Sequence, residues 1–373
     1  MKNHPGHPQS IPNFSQRQLM LCFAYLAYCG EQITAANPET RILRIINEAL
    51  PQIPPLNTPN PTWQVVWGPA VYKTPGARYQ ENMTFMAQSN ADPAQLVVAT
   101  RGTNRVADLD WLLEDFDVFQ MMPWPPGTEV ADPVERRISE STSIDLQIVL
   151  TTPSAIVAKG TTLCDFLQTL SSKPLNVCVT GHSLGGCLSS TLALYLKEQQ
   201  ASWDHSKQSI VSNISFAGPT AGNEGFASYS DSVFSGGPFP PGWDTTLGST
   251  CDAVRCSLDV APLGWDSNNV AINNPNVVTL YGDKIKFHGL EWWLVKKHVI
   301  ELLTNLVAQQ NYRQIKALQA LLPGVFHGKG TRSCNVKTIL EAYAAEAGWQ
   351  HGHSYPTILQ VPSLLNSNII SMT

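Results

Sequence analysis

Apolar residues fall into two kinds of pattern along the chain. Short unbroken runs, "LVVAT" (96–100), "LNVCVT" (175–180) and "NISFAG" (213–218), have the length and composition of buried strands. "WQVVWGPAVY" (63–72) and "MTFMAQS" (83–89) also read as strands. Between and before them, helical periodicity predicts helices over Ser15–Tyr28 and Glu39–Leu50. A third covers "GGCLSSTLALYLKEQQ" (185–200), which ends in polar residues. Strands alternating with helices predict an α/β fold with a mainly parallel central sheet flanked by helices. The clearest amphipathic segment is Gly289–Gln310. Lys297, Glu301 and Asn305 recur every four residues on one face, opposite Trp292, Val295, Val299, Leu302 and Leu306. A second helical stretch, "YRQIKALQALL" (312–322), follows, so residues from about 289 to 325 are expected to form a helical insertion. Residues 1–14 read as a disordered leader and 15–373 as a single domain.

Composition narrows the class. The 373 residues are 43% hydrophobic, enough for one large core, and 14% charged with a net charge of −5. No basic run tracks phosphates, which argues against nucleic acid as a partner. No apolar run is long enough for a transmembrane segment. "LMLCFAYLAYCG" (19–30) has the length of a signal-peptide core, but little positive charge precedes it. Tyr28 also stands where cleavage needs a small residue. A buried helix is the expectation. Localisation stays open between the cytoplasm, signal-independent export, and secretion after removal of an earlier signal. The eight cysteines include no C-x-x-C pair and no zinc spacing. Cys164, Cys178 and Cys187 read as packed thiols, and Cys251 with Cys256 as the one bridgeable pair.

Candidate chemistry sits in "CVTGHSLGGCLSS" (178–190). A serine between two glycines, after a strand and before a helix, is the pattern of a nucleophile elbow. The sharp turn strains the serine backbone, and Gly181, Gly185 and Gly186 remove side chains that would collide there. The Leu184 N–H, at the helix start, would then face a developing oxyanion. The bland reading is an inert serine on a glycine-rich turn. A serine hydroxyl needs a histidine base oriented by a carboxylate. Downstream acids are Glu224, Asp231, Asp244, Asp252, Asp259, Asp266 and Asp283. Downstream histidines are His205, His288, His298, His327, His351 and His353. Spacing alone does not choose among them.

A family resemblance does. The chain resembles the class 3 lipases, the family of fungal triacylglycerol lipases and plant acylhydrolases. "VVATRGTN" is similar to their strand ending in R-G-T/S, and "ADLDWLLEDF" to the D-W segment after it. "VTGHSLGG" matches their elbow, "ISFAGPTAGNEGFASY" their F-G-x-P-R-V-G-N stretch, and "VRCSLDVAPLGW" their R…D-x-V-P segment. "YLAYC" is similar to part of their N-terminal helix. The order of five motifs over most of residues 15–360 carries the resemblance. It implies an α/β-hydrolase fold, with Ser183 as nucleophile, Asp259 as triad acid and a base in "WQHGHSYPTILQV". There His351 is preferred to His353 because it precedes Tyr355 by four. It further implies Thr103 as a second oxyanion donor beside Leu184, and a lid over 104–126. In that lid Trp111, Leu112, Phe116, Phe119, Met121, Met122 and Trp124 would grip acyl chains. His182 and Arg101 read as structural.

The resulting expectation is a serine hydrolase cleaving carboxylic esters of lipids through an acyl-enzyme, touching a lipid–water interface transiently. It would use no cofactor and no metal; the H-x-H pair has no third ligand in view. Phospholipase A1 and aryl esterase activity use the same triad, and a non-catalytic hydrolase-fold binding protein is the alternative from another class.

Overall fold

In the computed structural model of the chain, the residues described are 14–34, 37–57, 63–75, 80–102, 120–127, 135–267, 270–271, 274–286, 290, 293, 310–315, 321–328 and 339–361. Helix α1 (Gln16–Leu26) begins on a capping box, Ser15 and Gln18 each accepting a hydrogen bond from the other's backbone. Every residue from Met20 to Cys29 is buried. A stretch buried on all sides belongs inside a core, and Met20–Cys29 packs there. Helix α2 (Glu39–Ala49) buries only Ile42, Ile45, Ile46 and Ala49, one face.

The strands are β1 (Trp63–Tyr72), β2 (Asn82–Ser89), β3 (Gln95–Thr100), β4 (Met121–Pro123), β5 (Arg137–Ser139), β6 (Asn176–His182), β7 (Ile210–Phe216) and β8 (Cys251–Cys256). The main sheet runs β1-β2-β3-β6-β7-β8 and ends on a short strand, Leu321–Leu322. Its first two pairings are antiparallel and the rest parallel. This is the mainly parallel sheet of an α/β-hydrolase fold. Alternate residues serve opposite layers, as strand geometry requires. Val97 and Ala99 face α1 and α2, while Leu96, Val98, Val177 and Val179 face the helices Glu140–Thr151, Leu163–Leu170 and Leu184–Glu198. The parallel order brings the carboxyl ends of β3, β6, β7 and β8 to one edge, and the candidate site residues stand there.

Three expectations change. Residues 312–322 are not one helix among the described positions. Tyr312 makes a β-bridge with Asn223, and Arg313 N–H donates to the Gly222 carbonyl. Leu321 and Leu322 pair with Arg255 and Cys256. Long-range backbone bonds replace helical ones here. Cys251 and Cys256 are both free. They stand at the two ends of β8, five residues apart, so they point to opposite faces and are about 16 Å apart along the strand; each packs in a different layer of the core. The far end of the expected lid belongs to the body: β4 pairs with β5, and Trp124 is 2% exposed. Its indole N–H donates to Glu198 at 2.9 Å, and its ring stands edge-on to Phe226. The rest of the lid, 104–119, lies outside the described residues. Of the insertion's first helix, Leu290 and Trp293 are described; they are helical and exposed.

Candidate active site

β6 runs into helix Leu184–Glu198 through Ser183, whose φ of 61° and ψ of −133° put a non-glycine residue in a strained conformation. Neighbouring backbone permits nothing bulkier than glycine around it. A Cβ on Gly181 would lie 2.1 Å from the Gly185 carbonyl oxygen. On Gly185 it would lie 2.4 Å from that of Thr100, and on Gly186 2.5 Å from that of Phe216. The Ser183 N–H donates to the Phe216 carbonyl at 3.0 Å, tying the turn to β7. Leu184 opens the helix, so its N–H has no intrahelical acceptor.

The candidate base comes from near the end of the sequence, at position 351. His351 lies in the last turn of helix Ile339–Gly352 and is buried. Its Nε2 is 2.8 Å from Ser183 Oγ, and its Nδ1 is 3.1 Å from both carboxylate oxygens of Asp259. A carboxylate accepts, so the Nδ1–H tautomer faces Asp259 and leaves Nε2 free to take the serine proton. Asp259 follows β8 in a tight turn. Its N–H donates to the Cys256 carbonyl, and Oδ1 accepts from the Ala261 N–H at 3.0 Å. Oδ2 accepts from the Tyr355 hydroxyl at 2.6 Å. That hydroxyl in turn accepts from the Cys256 N–H at 3.0 Å. Burial, with the Asp259 charge beside it, pushes the Tyr355 phenol well above its ordinary value, so it stays a neutral donor.

Ser183, Asp259 and His351 are thus brought together from three distant stretches. His353 is not among them: its ring stacks on Trp349 at 4.4 Å, with His327 on the other face of the indole at 3.7 Å. Thr103 lies outside the described residues. The preceding Gly102 approaches the elbow so closely that a Cβ there would meet the His182 carbonyl oxygen at 2.6 Å and Ser183 Cβ at 3.1 Å. Arg101 is fully buried and donates to the Gln80 carbonyl at 2.7 Å, a structural role. Burial pulls its guanidinium down to about 10, against the pull of Glu31 and Tyr28. Tyr355 is the site residue that sequence reasoning used only as a landmark. Helical spacing could not have found it, because His351 closes one helix (Ile339–Gly352) and Tyr355 lies in the next (Ser354–Ile358). Among the described residues no group of three or more His, Cys, Asp or Glu side chains could hold a metal ion, and no helix is long and apolar enough to cross a membrane.

Several known proteins are similar to this chain. The family described as lipase (class 3) matches residues 97–236. Among solved structures, M37 lipase is 31% identical, with a TM-score of 0.77 over 97% of this chain and 100% of its own. Lipase II from Rhizopus niveus is 16% identical over 66% of this chain and 72% of its own, with a TM-score of 0.42. Lip2 lipase from Yarrowia lipolytica is 16% identical over 54% and 60%, with a TM-score of 0.38. No curated protein matches the chain by sequence. With a lipase matched along its whole length at that identity, the chain belongs to the class 3 lipases and is a carboxylic-ester hydrolase acting on lipid esters.

Proposed function

We propose that the chain hydrolyses acylglycerol esters through a Ser183–His351–Asp259 triad. The observation that carries this reading is the unbroken run of contacts, 2.8 Å from Ser183 Oγ to His351 Nε2 and 3.1 Å from Nδ1 to Asp259. His351 takes the hydroxyl proton as Oγ bonds to the ester carbonyl carbon. The carbonyl oxygen becomes an oxyanion, which the Leu184 N–H and the Thr103 N–H and hydroxyl hold. Asp259 steadies the imidazolium, which gives its proton to the departing alcohol as the C–O bond breaks. Water, deprotonated by His351, then attacks the acyl carbon; the acyl–Oγ bond breaks, His351 returns the proton to Ser183 Oγ, and the fatty acid leaves. Access is assigned to the stretch between Thr103 and Gln120 and to the insertion that follows residue 289.

Two measurements test this. A fluorophosphonate probe should label the wild type and leave Ser183→Ala unlabelled, with turnover reduced by about 10⁶; equal labelling or near-wild-type activity in the variant refutes the assignment. A panel of triolein, phosphatidylcholine and p-nitrophenyl esters tests the substrate. Triolein should turn over; hydrolysis of phosphatidylcholine or the aryl ester with none of triolein refutes the acylglycerol reading.

A further inference from the structure

The histidine beside the nucleophile and the two tyrosines of "YLAYC" remain outside the triad, yet they meet at its base. Helix Ile339–Gly352 ends on His351 and the glycine after it. The last carbonyls of a helix have no donor within the helix. Here two side chains from other elements supply them. His182 Nε2 lies 2.8 Å from the His351 carbonyl oxygen, and the Tyr25 hydroxyl donates to the Gly352 carbonyl at 3.0 Å. A carbonyl only accepts, so His182 Nε2 carries a hydrogen. The Tyr28 hydroxyl stands 3.3 Å from His182 Nδ1 and donates to the His182 carbonyl at 3.1 Å. In the neutral ring Nδ1 carries no hydrogen, and the single Tyr28 hydrogen serves either Nδ1 or the carbonyl; in the imidazolium Nδ1–H donates to the phenol oxygen while the hydroxyl keeps the carbonyl. Nε2–H persists in both states, so the link to His351 does not depend on the ionisation of His182. The ring is buried, 4.7 Å from the His351 ring and edge-on to Tyr25 and Tyr355.

We infer that His182 is a positioning residue that sets the Ser183–His351 distance by capping the helix that carries the base. Nucleophile and base are 168 residues apart in sequence. Each side chain can be displaced by a shift of its own element. The His182 ring joins the two elements directly: its backbone is the strand residue before Ser183, and its Nε2–H holds the main chain of His351. Tyr25 and Tyr28, one turn apart on and just beyond α1, complete the brace by holding the Gly352 carbonyl and the His182 residue. A displacement of about 1 Å between reacting groups costs on the order of a hundredfold in rate. The brace should therefore act on turnover and leave substrate binding alone.

The inference rests on the triad reading, and the experiment separates the two. His182→Gln keeps an N–H donor at the reach of Nε2; His182→Asn ends one bond short. Turnover of a short-chain p-nitrophenyl ester is measured with active sites counted by fluorophosphonate titration, so partly unfolded protein does not contribute. The Asn variant should lose about ten- to a hundredfold in kcat with KM within twofold, and the Gln variant should stay within about threefold of wild type. Tyr25→Phe, which removes one hydroxyl and keeps its ring, should lose about three- to tenfold in kcat with KM unchanged. Asn and Gln variants of equal kcat, or a Tyr25→Phe variant at the wild-type rate, overturn the inference while Ser183-dependent activity stands. Activity equal in wild type and Ser183→Ala overturns both.

Discussion

Replacing Tyr355 by Phe removes one oxygen from a place that water does not reach. The phenol donates to Asp259 Oδ2 at 2.6 Å and accepts from the Cys256 N–H at 3.0 Å. The ring's edge-on neighbours, His182 at 5.7 Å and Phe216 at 6.4 Å, are kept, so no large cavity opens. A hydrogen bond to a charged group is worth about 1.5–3 kcal/mol, and a stranded buried N–H costs about 1–3 kcal/mol. The expected loss of stability is therefore about 4 kcal/mol, a large share of the 5–15 kcal/mol typical of a folded domain. Asp259 keeps its bonds from His351 and the Ala261 N–H, so the variant should retain a triad and lose about tenfold in turnover. Urea unfolding followed by fluorescence gives the first quantity and ester hydrolysis the second. The pH dependence adds a check on sign. The phenol's folded value is raised above 10.0, so its contribution is complete below pH 10 and is lost as pH rises further, where the unfolded chain's tyrosine ionises first. The gap between wild type and variant should be constant from pH 6 to 9 and narrow above 10. A gap below about 0.5 kcal/mol at pH 7, or one that widens in alkali, refutes the reasoning.

Trp124→Ala should cost about 3–5 kcal/mol by thermal or urea unfolding, because the indole is core; a loss below about 1 kcal/mol would return it to the lid. Burial, then the Glu81 charge, pushes the Asp145 carboxyl up to about 7. With the folded value above the unfolded one, its favourable contribution is present below pH 3.8 and lost as pH rises through 7. Asp145→Asn should then stabilise by about 2 kcal/mol at pH 8 and have no effect at pH 4; an effect independent of pH contradicts this. Gly185→Ala forces a Cβ to within 2.4 Å of the Thr100 carbonyl oxygen and 2.7 Å of the Arg101 carbonyl carbon. It should destabilise by about 3 kcal/mol and abolish probe labelling. Gly348→Ala, on the base helix with nothing within 4 Å of the new Cβ, should stabilise by about 0.5–1 kcal/mol in the same unfolding assay.

The parts legible in the sequence were those with local causes. β3, β6 and β7 appear as apolar runs because both faces of the sheet are covered there, and the elbow announces itself because three glycines must cluster around one strained serine. Helix Glu140–Thr151 was missed because it buries Thr142 and Ser143 alongside Leu146 and Val149, which breaks the apolar period. Helix Ile339–Gly352 was missed for a related reason: buried Glu346, Gln350 and His351 interrupt its apolar face. Glu346 and Gln350 serve there as hydrogen-bond partners for the loop at 325–328. The candidate acid and base could not be chosen from spacing. Asp259 and His351 meet across 92 residues, and several other acids and histidines fit any rule of order; the family motifs chose between them. The helix expected over 312–322 failed because apolar periodicity does not report that a neighbouring strand, β8, still lacks a partner.

The last strand has an engineering meaning. The main chain departs from the sheet after Cys256 and is stitched back beside its point of departure: Leu321 pairs with Arg255, Ser257 N–H donates to the Leu322 carbonyl at 2.9 Å, and Gly324 N–H donates to Ser257 Oγ at 2.8 Å. Exit and re-entry are neighbours, like the two ends of a socket. Doubling a loop costs only about 0.6 kcal/mol in closure entropy, so the sheet edge sets no fixed length for the chain that leaves it, while Tyr312 and Arg313 tie the return path to Asn223 and Gly222. A change of length there leaves the seam of Leu321 beside Arg255, and with it the turn that carries Asp259, in place.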